Sequence, residues 1–291
     1  MKRIFAFAAA SLALAACQST LDPVEDRMAI NFSIGVTTKV TDNSFDNGDK
    51  AGIYVVHWSN DPYQENEILT EGNYYDNVEY TYQDGWQGET LYWYDKHTYA
   101  DFYCYYPYAE ISDINSHGFY VAVDQSDLQN LKNSDFVWGK AREVAPGTRN
   151  VEITTNHIMS SIKIFLEAGD GFTAETFADM DISVNLRNVR NNASINLADG
   201  SVTAFGAPVQ MTPYMDDGFY RAIVVPQEVA DGSELIVVTV NGTEYALKKG
   251  FTFVSGKRHK FTVTVNKTGS GVNVGIGGWE EDEEDNGGSA E

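Results

Sequence analysis

The sequence predicts an all-β protein built from β-sandwiches, and three observations support this prediction. Apolar residues alternate with polar or small ones over many short segments, which is typical of half-buried strands. Turn-forming clusters separate these segments, as at Asp46–Asp49 and Pro146–Gly147. Only two short segments, Ser126–Lys132 and Ala174–Asp179, have a helical pattern. Many short strands with frequent turns favour sandwiches over one closed barrel.

The first 16 residues have the pattern of a signal peptide. A basic start precedes the apolar run Ile4–Ala16, which is shorter than the roughly 20 residues that span a bilayer. The run ends in the letters LAAC, which resemble the bacterial lipobox and place its lipidated cysteine at Cys17. We expect a tether over 17–27 and an acyl anchor rather than a spanning helix. The alternative is an ordinary secretory signal with an incidental cysteine.

Strand candidates follow one another along the body of the chain. The first alternation has its apolar residues at Ile30, Phe32, Ile34 and Val36. Later alternations have theirs at Val151 and Ile153, at Ile162, Ile164 and Leu166, at Ile236, Val238 and Val240, at Phe261, Val263 and Val265, and at Val272, Val274 and Ile276. Asn241-Gly242 predicts a hairpin with a type I′ turn, because such a turn needs φ > 0 at both central positions.

The length of 291 residues suits one large domain or two ordinary ones. We divide the body into an N-terminal sandwich over 28–155 and a C-terminal sandwich over 156–278, each of about the usual size. Residues 279–291 contain six consecutive acidic residues. We expect this acidic tail to be disordered, because like charges repel and the tail has no apolar face.

Charge and cysteine content exclude several classes of protein. The 42 acidic and 20 basic residues give a net charge of −22. Nucleic acid is therefore not an expected partner, because its phosphates would be repelled. Cys17 and Cys104 are the only cysteines, which excludes a disulfide-rich scaffold.

No motif in the sequence indicates catalysis. It contains no nucleophile elbow, no P-loop and no zinc-binding His-Glu-x-x-His. The five histidines lack metal-ligand spacing. The acidic segment from Asp42 to Asp49 has Asn47 where a calcium loop needs glycine. We expect neither an enzyme nor a metal or other cofactor, and a hydrolase ranks last among the alternatives.

The stretch from Tyr74 to Tyr108 is rich in tyrosine and tryptophan. Exposed rings of this kind bind sugars or protein partners. Aromatic residues also form strands readily and fill cores, which is the favoured interpretation. A sugar site would use an exposed ring such as that of Trp86 or Trp93.

A series of motifs runs through nearly the whole body in a fixed order. They are Ile30–Val40, Phe45–Asp49, Gly52–Val55, Asn77–Tyr80, Tyr92-Trp93, Ala100–Phe102, Tyr105–Tyr108, Asp135–Gly139, His157–Ile164, Pro226-Gln227 and Gly256–Val265. Together with the lipobox, they resemble the fimbrillin-like family of lipoproteins from Gram-negative oral and gut anaerobes. The resemblance implies two tandem transthyretin-like β-sandwiches. It also implies a subunit of surface fimbriae that is held at the outer membrane, assembles with other fimbrillin subunits and supports adhesion.

The resemblance also implies an assembly mechanism. In stalk members, a protease removes the first strand, and a C-terminal strand of the next subunit fills the groove. The corresponding positions are the core face Ile30, Phe32, Ile34 and Val36, the cleavage position Lys39, and the donor strand with Val272, Val274 and Ile276. The stalk pattern has Arg at the cleavage position, so Lys39 leaves stalk, tip, anchor and accessory roles open.

A different class of function also fits the sequence. A surface glycan-binding lipoprotein would capture a glycan with aromatic residues of the first half, and an adhesive subunit would take a host protein or glycan as its partner. Such a protein would stay monomeric, whereas a fimbrillin would form protease-dependent oligomers.

Overall fold

The computed structural model describes residues 28–36, 45–60, 63–268 and 271–276. Within these ranges the regular secondary structure consists mainly of β-strands, with two short helices, α1 (Leu128–Asn133) and α2 (Ala174–Ala178). The predicted all-β class and both predicted helices are confirmed. None of the described helices is long and apolar enough to cross a membrane.

The strands fall into a first half, β1–β10, and a second half, β11–β23. Those of the first half are β1 (Phe32–Val36), β2 (Lys50–His57), β3 (Ser59–Asn60), β4 (Tyr63–Gln64), β5 (Tyr75–Tyr82), β6 (Trp86–Gly88), β7 (Ala100–Tyr106), β8 (His117–Tyr120), β9 (Val137–Val144) and β10 (Val151–His157). Those of the second half are β11 (Ser160–Ala168), β12 (Ile182–Val189), β13 (Asn192–Ile195), β14 (Val202–Phe205), β15 (Val209–Met211), β16 (Tyr214–Asp216), β17 (Phe219–Val224), β18 (Gln227–Val229), β19 (Glu234–Val240), β20 (Thr243–Lys248), β21 (Phe251–Phe253), β22 (Arg258–Thr268) and β23 (Gly271–Ile276).

A seven-stranded sheet in the order β1-β10-β9-β7-β2-β5-β6 dominates the first half. Its central strands are buried on both faces, because alternate residues supply two different cores. Ile53 and Phe102 point into an N-terminal core that also contains Ile34 and Ile153. Their sequence neighbours on the opposite face, such as Tyr103, belong to a larger core that continues into the second half.

The second half packs a five-stranded sheet, β16-β17-β11-β22-β23, against a four-stranded sheet, β15-β12-β19-β20. Alternating apolar residues of both sheets meet in the larger core, including Ile164, Val184, Ile236 and Val263. Each half pairs its first strand in parallel with a late strand of the same half, β1 with β10 and β11 with β22. Parallel neighbours need a long connection, and in each half the strands that lie between the two paired strands in sequence form this connection.

The two halves are joined by shared structure. Strand β8 of the first half pairs antiparallel with β13 of the second half, with Tyr120 opposite Asn192. Strand β14 completes this three-stranded sheet. The predicted boundary between 155 and 156 lies within β10. The division into two transthyretin-like sandwiches stays a prediction.

Local signals account for several connections. Strands β19 and β20 form a hairpin around Asn241 and Gly242, with φ of 48° and 80°, which confirms the predicted turn. The side chain of Asp127 accepts hydrogen bonds from the backbone of Gln129 and Asn130 at the start of α1. These bonds satisfy amides that a helix N-terminus otherwise leaves unpaired.

Candidate assembly site

Strand β1 lies at one edge of the seven-stranded sheet and pairs with β10. The register places Phe32 opposite Val151, Ile34 opposite Ile153 and Val36 opposite Thr155. The exposed fraction of Ile34 is 8%, and Phe32 and Val36 are half-buried, whereas the intervening Ser33 and Gly35 are exposed. The predicted alternation of this strand is therefore confirmed.

The residues before β1 pair with a different part of the chain. The amide of Ile30 donates to the carbonyl of Leu91 at 2.8 Å, and the amide of Trp93 donates to the carbonyl of Met28 at 2.9 Å. The chain then crosses to β10, where the amide of Val151 donates to the carbonyl of Asn31 at 2.7 Å. The N-terminal segment is consequently held by an isolated bridge between Ala29 and Tyr92 and by the ladder of β1 with β10.

The inner face of this segment completes the N-terminal core. Ile30 and Ile34 are buried in it. The ring of Phe32 makes edge contacts with Tyr80 and Phe102 at centroid distances of 5.5 and 5.6 Å. Without β1, these two rings and the inner face of β10 would line an open apolar groove.

The outer side of β1 also has a partner. The indole Nε1 of Trp86 in β6 donates to the carbonyl of Ile34 at 3.3 Å. On the β10 side, Thr155 Oγ1 donates to the carbonyl of Gly35 at 3.1 Å, and Asn150 Nδ2 donates to Ser33 Oγ at 2.8 Å. The strand therefore occupies a slot between β10 and β6.

After β1, the described part of the chain continues at Phe45. The ring of Phe45 packs against those of Trp86 and Tyr106 at centroid distances of 4.7 and 5.4 Å. Next to it, Asp46 forms an ion pair of 2.7 Å with Lys132 of α1. The predicted cleavage position Lys39 lies outside the described residues, between the end of β1 and this anchored point. The lipidation candidate Cys17 also lies outside them.

The predicted donor segment forms β23, the edge strand of the five-stranded sheet. It pairs antiparallel with β22, placing Val274 opposite Val265 and Ile276 opposite Val263. Val272 is opposite Lys267. In this monomer the backbone of β23 thus completes the sheet of its own chain and also lies near β20.

The family of the chain follows from comparison with known proteins. A model of the fimbrillin-like family matches residues 38–279, which is most of the chain. The chain belongs to the fimbrillin-like family. The resemblance stated from the motifs is thereby confirmed.

Relatives and solved structures agree with this family and this fold. A candidate fimbrium subunit of Bacteroides uniformis, Fim1C, is 26% identical over 278 residues, covering 90% of this chain and 88% of its own. The crystal structure of a candidate cell adhesion protein from Bacteroides uniformis has a TM-score of 0.63 at 22% identity, covering 89% of this chain and all of the other. One from Bacteroides ovatus has a TM-score of 0.59 at 17% identity, covering 87% and 96%. At these identities the two structures show a common fold.

The aromatic residues of this fimbrillin-like protein divide between core and surface. Trp93 has an exposed fraction of 3% and packs edge-on against Phe102 at 5.7 Å, so its prediction as a sugar platform is wrong. Trp86 is half-buried and packs against Tyr82 as well as Phe45. The neighbouring Tyr94 is the exposed ring, with an exposed fraction of 63%. Alternation places one residue inward and the next outward, and here the tryptophan is the inward one.

An ion network around the buried carboxylate of Asp101 was not expected from the sequence. Lys140 Nζ of β9 lies 3.0 Å from Asp101 Oδ2 of β7 and also pairs with Glu65. Asp101 Oδ1 accepts hydrogen bonds from the indole of Trp58 and the amide of Glu143, both at 2.7 Å. Because Asp101 is fully buried, each of these donors offsets the cost of removing its charge from water.

The pKa values in this network reflect its contacts. Burial alone would lower the pKa of Lys140, but hydrogen bonds with Glu65, Tyr103 and Asp101 raise it above its usual value. The hydrogen bond from Lys140, assisted by Arg142, lowers the pKa of Glu65 to about 2. The network acts as a structural clamp that ties β9 to β7 through Asp101 and to the segment after β4 through Glu65.

The acidic turn has its own internal partners. The amide of Asp46 donates to Asp49 Oδ2 at 2.7 Å, and the amide of Asp49 donates to the carbonyl of Asp46 at 3.0 Å. Asp42 lies outside the described residues. Within the described ranges, no group of three or more His, Cys, Asp and Glu side chains is placed to hold a metal ion.

Proposed function

We propose that the chain is a cell-surface subunit of fimbriae that assembles by β-strand addition and supports adhesion. The proposal depends mainly on the position of β1. It is an edge strand that fills an apolar slot between β10 and β6, and it is followed by the proposed cleavage position. Membership of the fimbrillin-like family supports the same role.

Loss of β1 would make the binding of a replacement strand energetically favourable. Burying a large apolar side chain contributes about 1.5–3 kcal/mol, and the slot takes Ile30, Phe32 and Ile34. The outer edge of β10 would also present unpaired amides and carbonyls, which form a template for strand addition. A segment with apolar residues at every second position satisfies both requirements.

The proposed donor is β23, with Val272, Val274 and Ile276 at alternate positions. In the monomer it is itself an edge strand on β22, so its release breaks one ladder and leaves the order of the other strands intact. Transfer of this segment to the slot of a neighbouring subunit would exchange an intramolecular ladder for an intermolecular one.

Cleavage after Lys39 fits this scheme because the position follows the last residue of β1, Val36. A cut there separates β1 from Phe45, which stays anchored by Trp86 and Tyr106. The body from residue 45 onward would remain folded, as a polymerising subunit requires. Stalk, tip, anchor and accessory roles differ in whether this cut occurs.

The remaining parts of the proposal concern domain organisation and the anchor. Two tandem transthyretin-like sandwiches, 28–155 and 156–278, are supported by the parallel pairing of first and late strands in each half. Lipidation of Cys17, with 17–27 as a tether, would hold the subunit at the outer membrane through its acyl chains. The function requires no catalysis and no cofactor.

Limited trypsin digestion of residues 18–291, followed by intact mass and native electrophoresis, tests assembly. We expect cleavage after Lys39 and then a ladder of multimers. Lys39→Gln should prevent both. Val274→Asp should permit the cut but abolish the ladder, whereas Asn273→Asp, which adds the same charge at the alternate position, should retain it. A monomeric product after complete cleavage at Lys39 would contradict strand exchange.

A further inference from the structure

A second surface of the first half has the properties of a small-molecule site. His57 at the end of β2 packs against Tyr74 at 3.9 Å and against Tyr94 at 4.6 Å, and the two tyrosines meet edge to face at 5.6 Å. We call these three rings the aromatic platform. We propose that the aromatic platform and the cavity beside it bind a neutral oligosaccharide. This inference goes beyond strand exchange and does not depend on it.

The cavity has a volume of about 700 Å³, which lies within the range of small-molecule sites. Its walls include His57 and Tyr74 of the platform, together with Gln64, Glu67 and Leu69. Tyr94 extends the aromatic wall outward, and Leu69 is half exposed at the rim. A ligand can therefore lie in the cavity and continue over the ring of Tyr94.

The arrangement of the rings selects the class of ligand. Because the three rings touch one another, no space remains between them for the ammonium group that an aromatic cage encloses. What remains available is the exposed part of the Tyr94 ring, whose exposed fraction is 63%. An amphipathic ring with one apolar C–H face, such as a pyranose, fits such a surface, while its hydroxyl groups stay free for polar contacts.

Polar groups for those hydroxyls also line the cavity. In the part of the chain that the structure describes, the side chains of Gln64 and Glu67 make no hydrogen bond to the protein, and both are exposed. Burial lowers the pKa of His57 to about 4 despite the opposing effect of Asp95. The imidazole is therefore neutral at pH 7 and offers one donor and one acceptor.

Charge further restricts the sugar. Glu65 and Glu67 line the cavity, Asp95 acts electrostatically on His57, and the chain as a whole carries a net charge of −22. Sulfated or carboxylated sugars would be repelled from this surface. A neutral hexose or N-acetylhexosamine chain avoids that cost and uses the carboxylates as hydrogen-bond acceptors.

Saturation-transfer-difference NMR tests the proposal on residues 18–291 with three probes, maltotriose, cellotriose and triacetylchitotriose. We expect at least one to bind with a Kd of about 1 mM or tighter, with the strongest transfer at the C–H protons of one pyranose face. Tyr94→Ala should weaken that binding by about tenfold or more. Tyr94→Phe should retain it, because stacking uses the ring rather than the hydroxyl.

Tyr120→Ala is the matched control, since Tyr120 is an equally large ring with an exposed fraction of 56% on the separate three-stranded sheet. It should leave binding unchanged. The proposal is overturned by the absence of transfer from all three trisaccharides. It is also overturned by equal binding to the Tyr94→Ala variant, or by binding of choline at Tyr94 in place of the sugars. Thermal unfolding of each variant verifies that the fold is retained.

Discussion

Trp86 donates a hydrogen bond from its indole Nε1 to the carbonyl oxygen of Ile34, at 3.3 Å. The two residues belong to β6 and β1, which are the last and the first strand in the order of the seven-stranded sheet. The contact therefore brings the two edges of the sheet together around the N-terminal core. It also holds β1 on the side that its ladder with β10 leaves open.

Replacing Trp86 should weaken the contact between β6 and β1. Trp86→Phe removes the indole donor and part of the packing against Phe45, and we expect the free energy of unfolding to fall by about 1–2 kcal/mol. Urea denaturation measures the change. Gln87→Ala, at the exposed neighbouring position of β6, should change stability by less than about 0.5 kcal/mol. Equal effects of the two substitutions would contradict the closing role of Trp86.

The inner face of β1 should contribute far more stability than its outer face. Ile34→Ala leaves a cavity in the N-terminal core and should lower the free energy of unfolding by about 2–5 kcal/mol. Ser33→Ala removes only an exposed hydrogen bond with Asn150, and its cost should stay below about 1 kcal/mol. Urea denaturation of both variants gives the comparison. Similar losses would mean that β1 is held by its polar contacts rather than by burial.

The ion network should respond strongly to loss of its cation. Lys140→Met leaves the buried carboxylate of Asp101 without its counter-charge, and we expect a loss of about 3–5 kcal/mol. Lys50→Met breaks a surface pair with Glu79 and should cost less than about 1 kcal/mol. The double variant Lys140→Met/Asp101→Asn should recover part of the loss, because it removes the uncompensated charge. A fully additive double variant would argue against coupling between Lys140 and Asp101.

His57 should make stability depend on pH under mildly acidic conditions. Its folded pKa of about 4 lies below the ordinary value of 6.5, so the unfolded chain binds more protons between these two values. Stability is therefore fully present above about pH 6.5 and falls as the pH decreases toward 4. His57→Gln should reduce this slope in urea titrations from pH 7 to pH 4, and His97→Gln, at an exposed position, serves as the control substitution. An unchanged slope for His57→Gln would contradict the role of its burial.

Local features of the fold could be predicted from the sequence, because short-range chemistry determines them. Asn241-Gly242 forms the predicted turn through its positive φ angles, and the alternation around Ile34 places that residue inward. Position along the chain does not reveal which of Trp93 and Tyr94 points inward. In the structure Trp93 lies in the N-terminal core, and its amide pairs with the carbonyl of Met28, a contact between distant segments.

Long-range pairings account for the rest. Glu65 meets Lys140 across 75 positions of the sequence, and neither residue carries a local signal that distinguishes it from other surface charges. The pairing of β8 with β13 joins the two halves in the same way. The aromatic platform likewise depends on three separate strands or loops, so composition could indicate aromatic surface but not its location.

The parallel pairing of β1 with β10 also bears on the order of folding. Gly35 and Thr155 are 120 positions apart. Strand β1 therefore cannot pair with β10 until almost the whole first half has been synthesised. Contacts of such long range form late and slowly, because a large loop must close first. Strand β1, the first of the described strands to leave the ribosome, is therefore among the last to be placed, and the rest of the sheet must be able to form while the position of β1 is empty. A sheet that forms before its own edge strand is in place is also suited to accept a strand from another subunit.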